Sequence, residues 1–203
     1  MVERFPMKIL VVGSTGLIGS HVAKALEKYG EVIGVSRSTP ISIDVKYPAS
    51  IKAMYEKVGR VDAVASCIGK VAFKPVTELT YDEYLAGLKD KVMGQVELVR
   101  VGMDFVNDGG SFTLMTGILA RDPIPSGSVA ALANGAIESF TLSAAIELPR
   151  NLRINTVSPN VLVEATSYHS AFPGFHQVSA SEVADAYVKS ILGKQNGQIY
   201  KLD

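Results

Sequence analysis

The chain has 203 residues, 47% of them hydrophobic and 20% charged, with twenty basic side chains balanced by twenty acidic ones. That composition suits one globular domain over residues 1–203 with a sizeable core, and the even balance excludes the one-signed field that binds nucleic acid or a membrane surface. A single cysteine, Cys67, excludes an internal disulfide framework and suits a reducing compartment. The opening Met-Val-Glu-Arg-Phe-Pro has no signal-peptide core, and no run approaches ~18 apolar residues, so a cytoplasmic protein is expected.

The first element sets the reading. Ile9 to Val12 is a short, wholly apolar run, the pattern of a central parallel strand buried on both faces. Gly13-Ser14-Thr15-Gly16-Leu17-Ile18-Gly19 then turns into a helix pattern carried by Leu17, Ile18, Val22, Ala25 and Leu26. A strand that turns on glycines into a helix N-terminus presents free backbone N–H groups and the positive end of the helix dipole. Such a turn binds phosphate, and glycine lets a pyrophosphate approach the backbone. Nucleotide binding is therefore expected at this turn.

Glu31 to Ser36 reads as a second strand, with Arg37 and Ser38 at its end and no acidic residue until Asp44. In a dinucleotide fold an acid here holds the ribose 2′-hydroxyl, whereas an arginine accommodates a 2′-phosphate. The sequence thus favours NADP over NAD, the alternative being a solvated Arg37. Ile41 to Asp44 is expected as a very short third strand, although four residues between Arg37 and Ser42 are too few for a crossover helix. Pro48 to Val58 has a helical face (Ile51, Met54, Tyr55, Val58). Val61 to Ser66 reads as the fourth strand, ending in Cys67-Ile68-Gly69, a strand end of the kind where ligands meet an open sheet.

Thr77 to Val106 is expected as one long helical region, with Thr77 or Thr80 as its cap. Ser111 to Met115 reads as the fifth strand and Ser128 to Leu148 as an Ala-rich helix. Arg153 to Val157 is the sixth strand, ended by Pro159, which is also counted among the cofactor-binding positions. Residues 160–178 carry Tyr168, His169, Phe172, Phe175 and His176 without periodicity, the pattern of a mobile lid. A helix over Ser181 to Ile191 and a strand over Gln198 to Leu202 complete the chain. Alternation throughout predicts an α/β, Rossmann-type, doubly wound parallel sheet of about seven strands with helices on both faces.

The order of pieces resembles the short-chain dehydrogenase/reductase family over essentially the whole length. The stretches that carry the resemblance are Gly-Ser-Thr-Gly-Leu-Ile-Gly (13–19), Ile-Asp-Val (43–45), Ser-Cys-Ile-Gly (66–69), and above all Ala-Ala-Ile-Glu-Leu-Pro-Arg-Asn-Leu-Arg-Ile-Asn-Thr-Val-Ser-Pro (144–159). The resemblance implies that Asp44 and Val45 contact adenine and that Ser66 to Gly69 supports the cofactor. It also implies a homodimer or homotetramer paired through the helices at 77–106 and 128–148.

The family's catalytic residues do not carry over. Its Tyr-x-x-x-Lys tyrosine lies seventeen residues before the Glu of the helix end, and counting back from Glu147 reaches Ala130, with Asn134 in place of the lysine. The family's serine, thirteen residues earlier, corresponds to Gly117, with Thr116 beside it, and its helix asparagine aligns with Lys91 of Lys91-Val-Met-Gly94. Hydride transfer needs a held cofactor and one group that moves a proton. Lys91, Thr116 and Asn134 are the candidates: a lysine desolvated beside a cofactor can act as acid or base, Thr116 can hydrogen-bond a substrate oxygen, and Asn134 can reach a ribose. Against these stand a solvated helix lysine and a strand-end hydroxyl bonded to backbone. Tyr168 and His169 are further proton carriers or mere lid residues. Asp122 reads as a turn residue, Cys67 as a small buried one, and three scattered histidines give no metal-ligand spacing. The readings that remain are an NADP-dependent oxidoreductase on a small carbonyl or alcohol with a replaced catalytic set, an NADP(H)-binding protein without hydride transfer (a redox sensor or structural partner), and a relative catalysing another cofactor-assisted reaction such as isomerisation.

Overall fold

Runs of four fully buried apolar residues have only one low-energy place in an α/β protein, the middle of a sheet covered on both faces. Ile9 to Val12 take that place in β1 (Met7–Val12). The computed structural model describes residues 7–203; residues 1–6, read above as lacking a signal core, lie outside the described residues. β1 pairs in parallel with β2 (Gly30–Val35) on one side and β3 (Val61–Ser66) on the other. The sheet continues through β4 (Val106–Met115), β5 (Arg153–Pro159) and β8 (Ile199–Leu202), giving the order β2-β1-β3-β4-β5-β8 with every pairing parallel.

Two apolar layers cover this sheet. On one face, α2 (Pro48–Val58), α4 (Gly94–Gly102) and α5 (Ser128–Ala144) enclose Leu10, Val12, Val64, Phe112, Leu114 and Ile154. On the other, α1 (Leu17–Leu26) and α6 (Ala180–Leu192), with Tyr187 of α6 inward, enclose Ile9, Val11, Ala63, Ala65, Met115 and Val157. Alternate residues of each strand face opposite layers, so the sheet is a core on both sides.

Four expectations need correction. The third strand at Ile41–Asp44 does not form: a lone bridge, Ser36 to Ser42, remains, because the short connection cannot carry a crossover helix, and the main sheet has six strands. A second, two-stranded sheet joins β6 (Val161–Leu162) to β7 (Gln177–Val178) within the stretch read as an irregular lid, and a 3₁₀ segment, Thr166–Ala171, lies between them. The long helix at 77–106 is shorter and is not uniform. Thr80, not Thr77, caps α3 (Tyr81–Gly87) in a reciprocal capping box with Glu83; a π-helical turn, Leu88–Met93, then leads into α4, and Val106 already belongs to β4. The α5 helix also ends four residues before the expected Leu148.

Candidate functional site

The site begins where β1 meets α1. Gly13 has φ +86°, in the left-handed region, and its N–H donates to the Val35 carbonyl at 2.8 Å. A Cβ on Gly19 would lie 2.0 Å from the Gly13 carbonyl oxygen, so its bareness lets helix and turn close on each other. Gly16 is different. It caps α1 with an ordinary φ of −78°, and a Cβ there would meet only the Gly13 oxygen, at 3.4 Å. The protein has room for a side chain at 16; its absence leaves the helix N-terminus bare toward the cavity. Of the turn's other residues, Thr15 lines that cavity, Ser14 packs toward Gly34 of β2, and Leu17 and Gly19 line neither cavity described below.

This first cavity is about 400 Å³. The turn, the β2 end with Arg37 and Ser38, the Asp44–Val45 stretch and Cys67 to Gly69 all reach it, as does Lys46, which sequence reasoning missed. Arg37 is exposed, while the Asp44 carboxylate accepts from the Lys46 N–H at 3.1 Å and pairs with its ammonium at 3.7 Å. Arg37, Lys46 and Lys70 line this groove with Asp44 and Asp90, Lys46 being paired with Asp44, and the excess of positive charge beside a helix N-terminus favours an anion.

A second cavity of about 380 Å³ adjoins it, the two sharing the wall Cys67 to Lys70. Lys91, Thr116, Asn134, Ile18 and Pro159 all line this second cavity, with Ala130 and Gly117. Lys91 sits in the π-helical turn and is only 9% exposed. Burial lowers its ammonium from 10.5 to about 8, and the neighbouring Asp90 carboxylate opposes that fall. Among the described residues the ammonium has neither hydrogen bond nor salt bridge. The solvated-lysine alternative is thereby removed.

What holds Lys91 is Gln95, a fully buried residue that sequence reasoning missed. Its amide donates to the Lys91 carbonyl at 3.1 Å and to the Met115 carbonyl at 2.9 Å, and accepts from the Met115 N–H at 2.8 Å. The π-helical turn is thus tied to the end of β4, as such turns often are at working sites. A buried polar residue one helical turn beyond Lys91 was the available signal.

Thr116 turns the other way. Its hydroxyl donates to Glu138 at 3.1 Å, with the Val157 carbonyl a longer second acceptor at 3.4 Å. Glu138, also missed, accepts from Ser158 at 2.8 Å, and Arg121 donates to that same Ser158 hydroxyl at 2.8 Å. Asn134 is 3% exposed; its amide nitrogen donates to the Gly117 carbonyl at 3.2 Å, and its Oδ1 is buried without a donor. In the lid, Tyr168 lines the cavity and tilts against Phe73 at 5.8 Å, whereas His169 is tied through Nε2 to the Leu162 carbonyl. Burial pushes the Cys67 thiol up to about 12, which keeps it protonated and unreactive. Among the described residues no cluster of His, Cys, Asp or Glu could hold a metal, and no helix is long and apolar enough to cross a membrane.

Comparison with known proteins bears on the family and the fold. A family profile described as enoyl-(acyl carrier protein) reductase matches residues 12–197. The chain is 23% identical to an uncharacterized oxidoreductase of Methylorubrum extorquens over 190 residues, covering 81% of this chain and 77% of that protein. It is 27% identical to a hydroxynaphthalene reductase of Aspergillus fumigatus over 146 residues, covering 68% of this chain and 54% of that protein, so the match spans about half that relative's length. Among solved structures, a Listeria innocua protein superposes with a TM-score of 0.95 at 48% identity, over 97% of this chain and 100% of its own. A small-chain dehydrogenase in complex with NADPH follows with a TM-score of 0.86 at 26% identity, over 97% and 96%.

Proposed function

The chain belongs to the short-chain dehydrogenase/reductase family, and on that premise we propose that it is an NADP(H)-dependent oxidoreductase of a small carbonyl or alcohol in which Lys91 carries the proton. The observation that carries this is the Lys91 side chain, only 9% exposed, whose ammonium has no ion-pair partner and lies on the wall of a cavity that adjoins the phosphate-binding turn. The residues present fit a dinucleotide. The bare face at Gly16 and the N-terminus of α1 suit the pyrophosphate, and Arg37 with Ser38 suits a 2′-phosphate. Asp44 and Val45 flank the adenine end, and Cys67 to Gly69 form the wall between the two cavities. The NADPH in one solved relative supports NADP over NAD.

NADPH, when held there, would supply the hydride for the carbonyl carbon. Lys91 gives its proton to the oxygen that becomes an alcohol, and in the reverse direction the neutral amine takes it back. An ammonium that titrates at about 8 exchanges its proton near neutrality, as general acid–base catalysis requires. Asn134, its amide nitrogen held by Gly117, offers the unpartnered Oδ1 to a ribose hydroxyl. Thr116, whose own proton is directed at Glu138, is left to accept from a ligand rather than donate to it. Residues 160–178, folded over the second cavity through Val161, Leu162, Tyr168 and Phe172, act as the lid. The exposed Leu132, Leu142 and Ile146 along and beyond α5 support pairing of two copies through that helix, as a homodimer or half of a homotetramer.

Purified protein incubated with NADPH and a panel of carbonyl compounds, followed by absorbance, tests the reading. Turnover at any substrate, reduced by about 10²- to 10⁴-fold in Lys91→Met, is expected. Tight NADPH binding without turnover across the panel would instead favour the sensor or structural role, for which the missing side chains at Ala130 and Gly117 speak.

A further inference from the structure

The second cavity carries more chemistry than the hydride step asks of it. Its walls are apolar and in part aromatic: Phe73 and Tyr168 tilt against each other at 5.8 Å on one side, and Phe172 closes another, edge-on to Phe175 at 5.2 Å. No carboxylate stands among the residues that line it. The charged groups there are Lys91, buried and unpaired, and Lys70, exposed at the rim with its backbone N–H on Asp90. Asp90 lies in the same helical turn as Lys91 but lines the other cavity, and Tyr168 and Cys67 are the remaining titratable groups on the wall. An ammonium on a desolvated side chain, acted on by Asp90 but in no direct ion pair with it, is costly to the folded protein, and the ligand that relieves the cost is one that brings a negative or strongly accepting oxygen. Flat aromatic faces beside it favour a planar ring.

We infer that this cavity selects planar, weakly acidic oxygen compounds, phenols and enols, over neutral molecules of the same shape, by placing their ionised oxygen against Lys91. The inference rests on the reading of this cavity as the substrate chamber and names the substrate class: an aryl carbonyl compound bearing an acidic hydroxyl, or the enol form of one. Its oxygen ionises on binding, the phenolic or enolic proton passing to solvent while Lys91 keeps its own. For such a compound the amine holds the ionised oxygen before the hydride step and gives its proton only when the reacting carbonyl oxygen needs it.

The probe is 4-nitrophenol, whose ionised form absorbs distinctly, set against nitrobenzene as its neutral counterpart. Both are titrated into the full chain, with and without saturating NADP⁺, by absorbance and calorimetry. The phenol is expected to bind at least about tenfold tighter than nitrobenzene, and its apparent pKa to fall by about one unit on binding. Lys91→Met should erase the preference while leaving nitrobenzene affinity unchanged, and Lys70→Met should leave the preference in place. Equal affinity for the two probes, an unshifted phenol, or a preference that survives in Lys91→Met would each overturn the inference. The pKa of the bound phenol is read in the unaltered protein, so the test stands even where the variant folds poorly. The two readings fail separately. NADPH-dependent reduction of ketones without any phenol preference removes this inference alone, whereas a Lys91-dependent phenol preference in a protein that ignores NADPH removes the oxidoreductase reading alone.

Discussion

Gly69 and Lys91 are fitted to each other: the lysine's methylene stem fills the space where a side chain on residue 69 would stand. A Cβ there would lie 2.5 Å from Lys91 Cγ and 2.7 Å from Cδ, and Gly69 holds φ +136°, which side chains rarely adopt. The glycine in the wall between the two cavities is thus also one wall of the lysine's slot.

From this follows the first prediction. Gly69→Ala should displace Lys91 and lower turnover by at least about tenfold, while backbone strain costs on the order of 1–3 kcal/mol of stability. Melting curves and steady-state kinetics on the same preparation check both halves. A variant that melts lower yet turns over normally would show that Lys91 need not stay where it is.

The second concerns pH. Burial lowers Lys91 from 10.5 to about 8, so the unfolded chain binds the proton more tightly than the folded one. Below pH ~8 the fold therefore carries an ammonium it disfavours, at a cost on the order of 3 kcal/mol. As pH rises from about 8 toward 10.5 the folded amine is neutral while the unfolded one is still charged, and the cost is relieved. Lys91→Met, similar in length and without charge, should raise the melting temperature at pH 7 and lose that advantage toward pH 10.5. A lower melting temperature at pH 7, or an advantage that does not narrow, would contradict the assignment.

The third prediction separates the cofactors. Arg37 is exposed and no other described side chain forms a salt bridge with it, so Arg37→Ala should leave the fold intact. A charge-assisted contact to phosphate contributes about 1.5–3 kcal/mol, so NADPH affinity should fall about tenfold to a hundredfold while NADH affinity barely moves. Isothermal titration with both cofactors reads this directly. Equal affinity of the unaltered protein for the two would remove Arg37 from the site.

Much of this was legible in the residues. The β1–turn–α1 unit, the Pro48–Val58 helix and the Val61–Ser66 strand follow from apolar runs, glycines and caps, which are local signals. The π-helical turn at Leu88–Met93 was not, because its extra residue is held by Gln95 reaching across to Met115 of β4, twenty residues away in sequence. At Ile41–Asp44 the periodicity suggested a strand while the short connection from Arg37, also legible, spoke against it, and the connection decided. In the site, residue types proposed Lys91, Thr116 and Asn134 together, and all three line one cavity. That Thr116 spends its proton on Glu138 depends on how α5 faces the end of β4, which spacing along the chain does not encode.

The central claim, a nicotinamide cofactor whose pyrophosphate lies on the Gly13–Gly19 turn, is tested most directly by titrating NADPH into Gly16→Val beside the unaltered protein. Residue 16 has an ordinary φ of −78°, and its Cβ would meet only a backbone oxygen at 3.4 Å, so the variant should melt within a few degrees of the original. The valine would instead occupy the space above the helix N-terminus into which phosphate must come. The account predicts NADPH affinity at least about a hundredfold weaker in a protein that is otherwise unchanged. Unchanged affinity in a well-folded variant would contradict it.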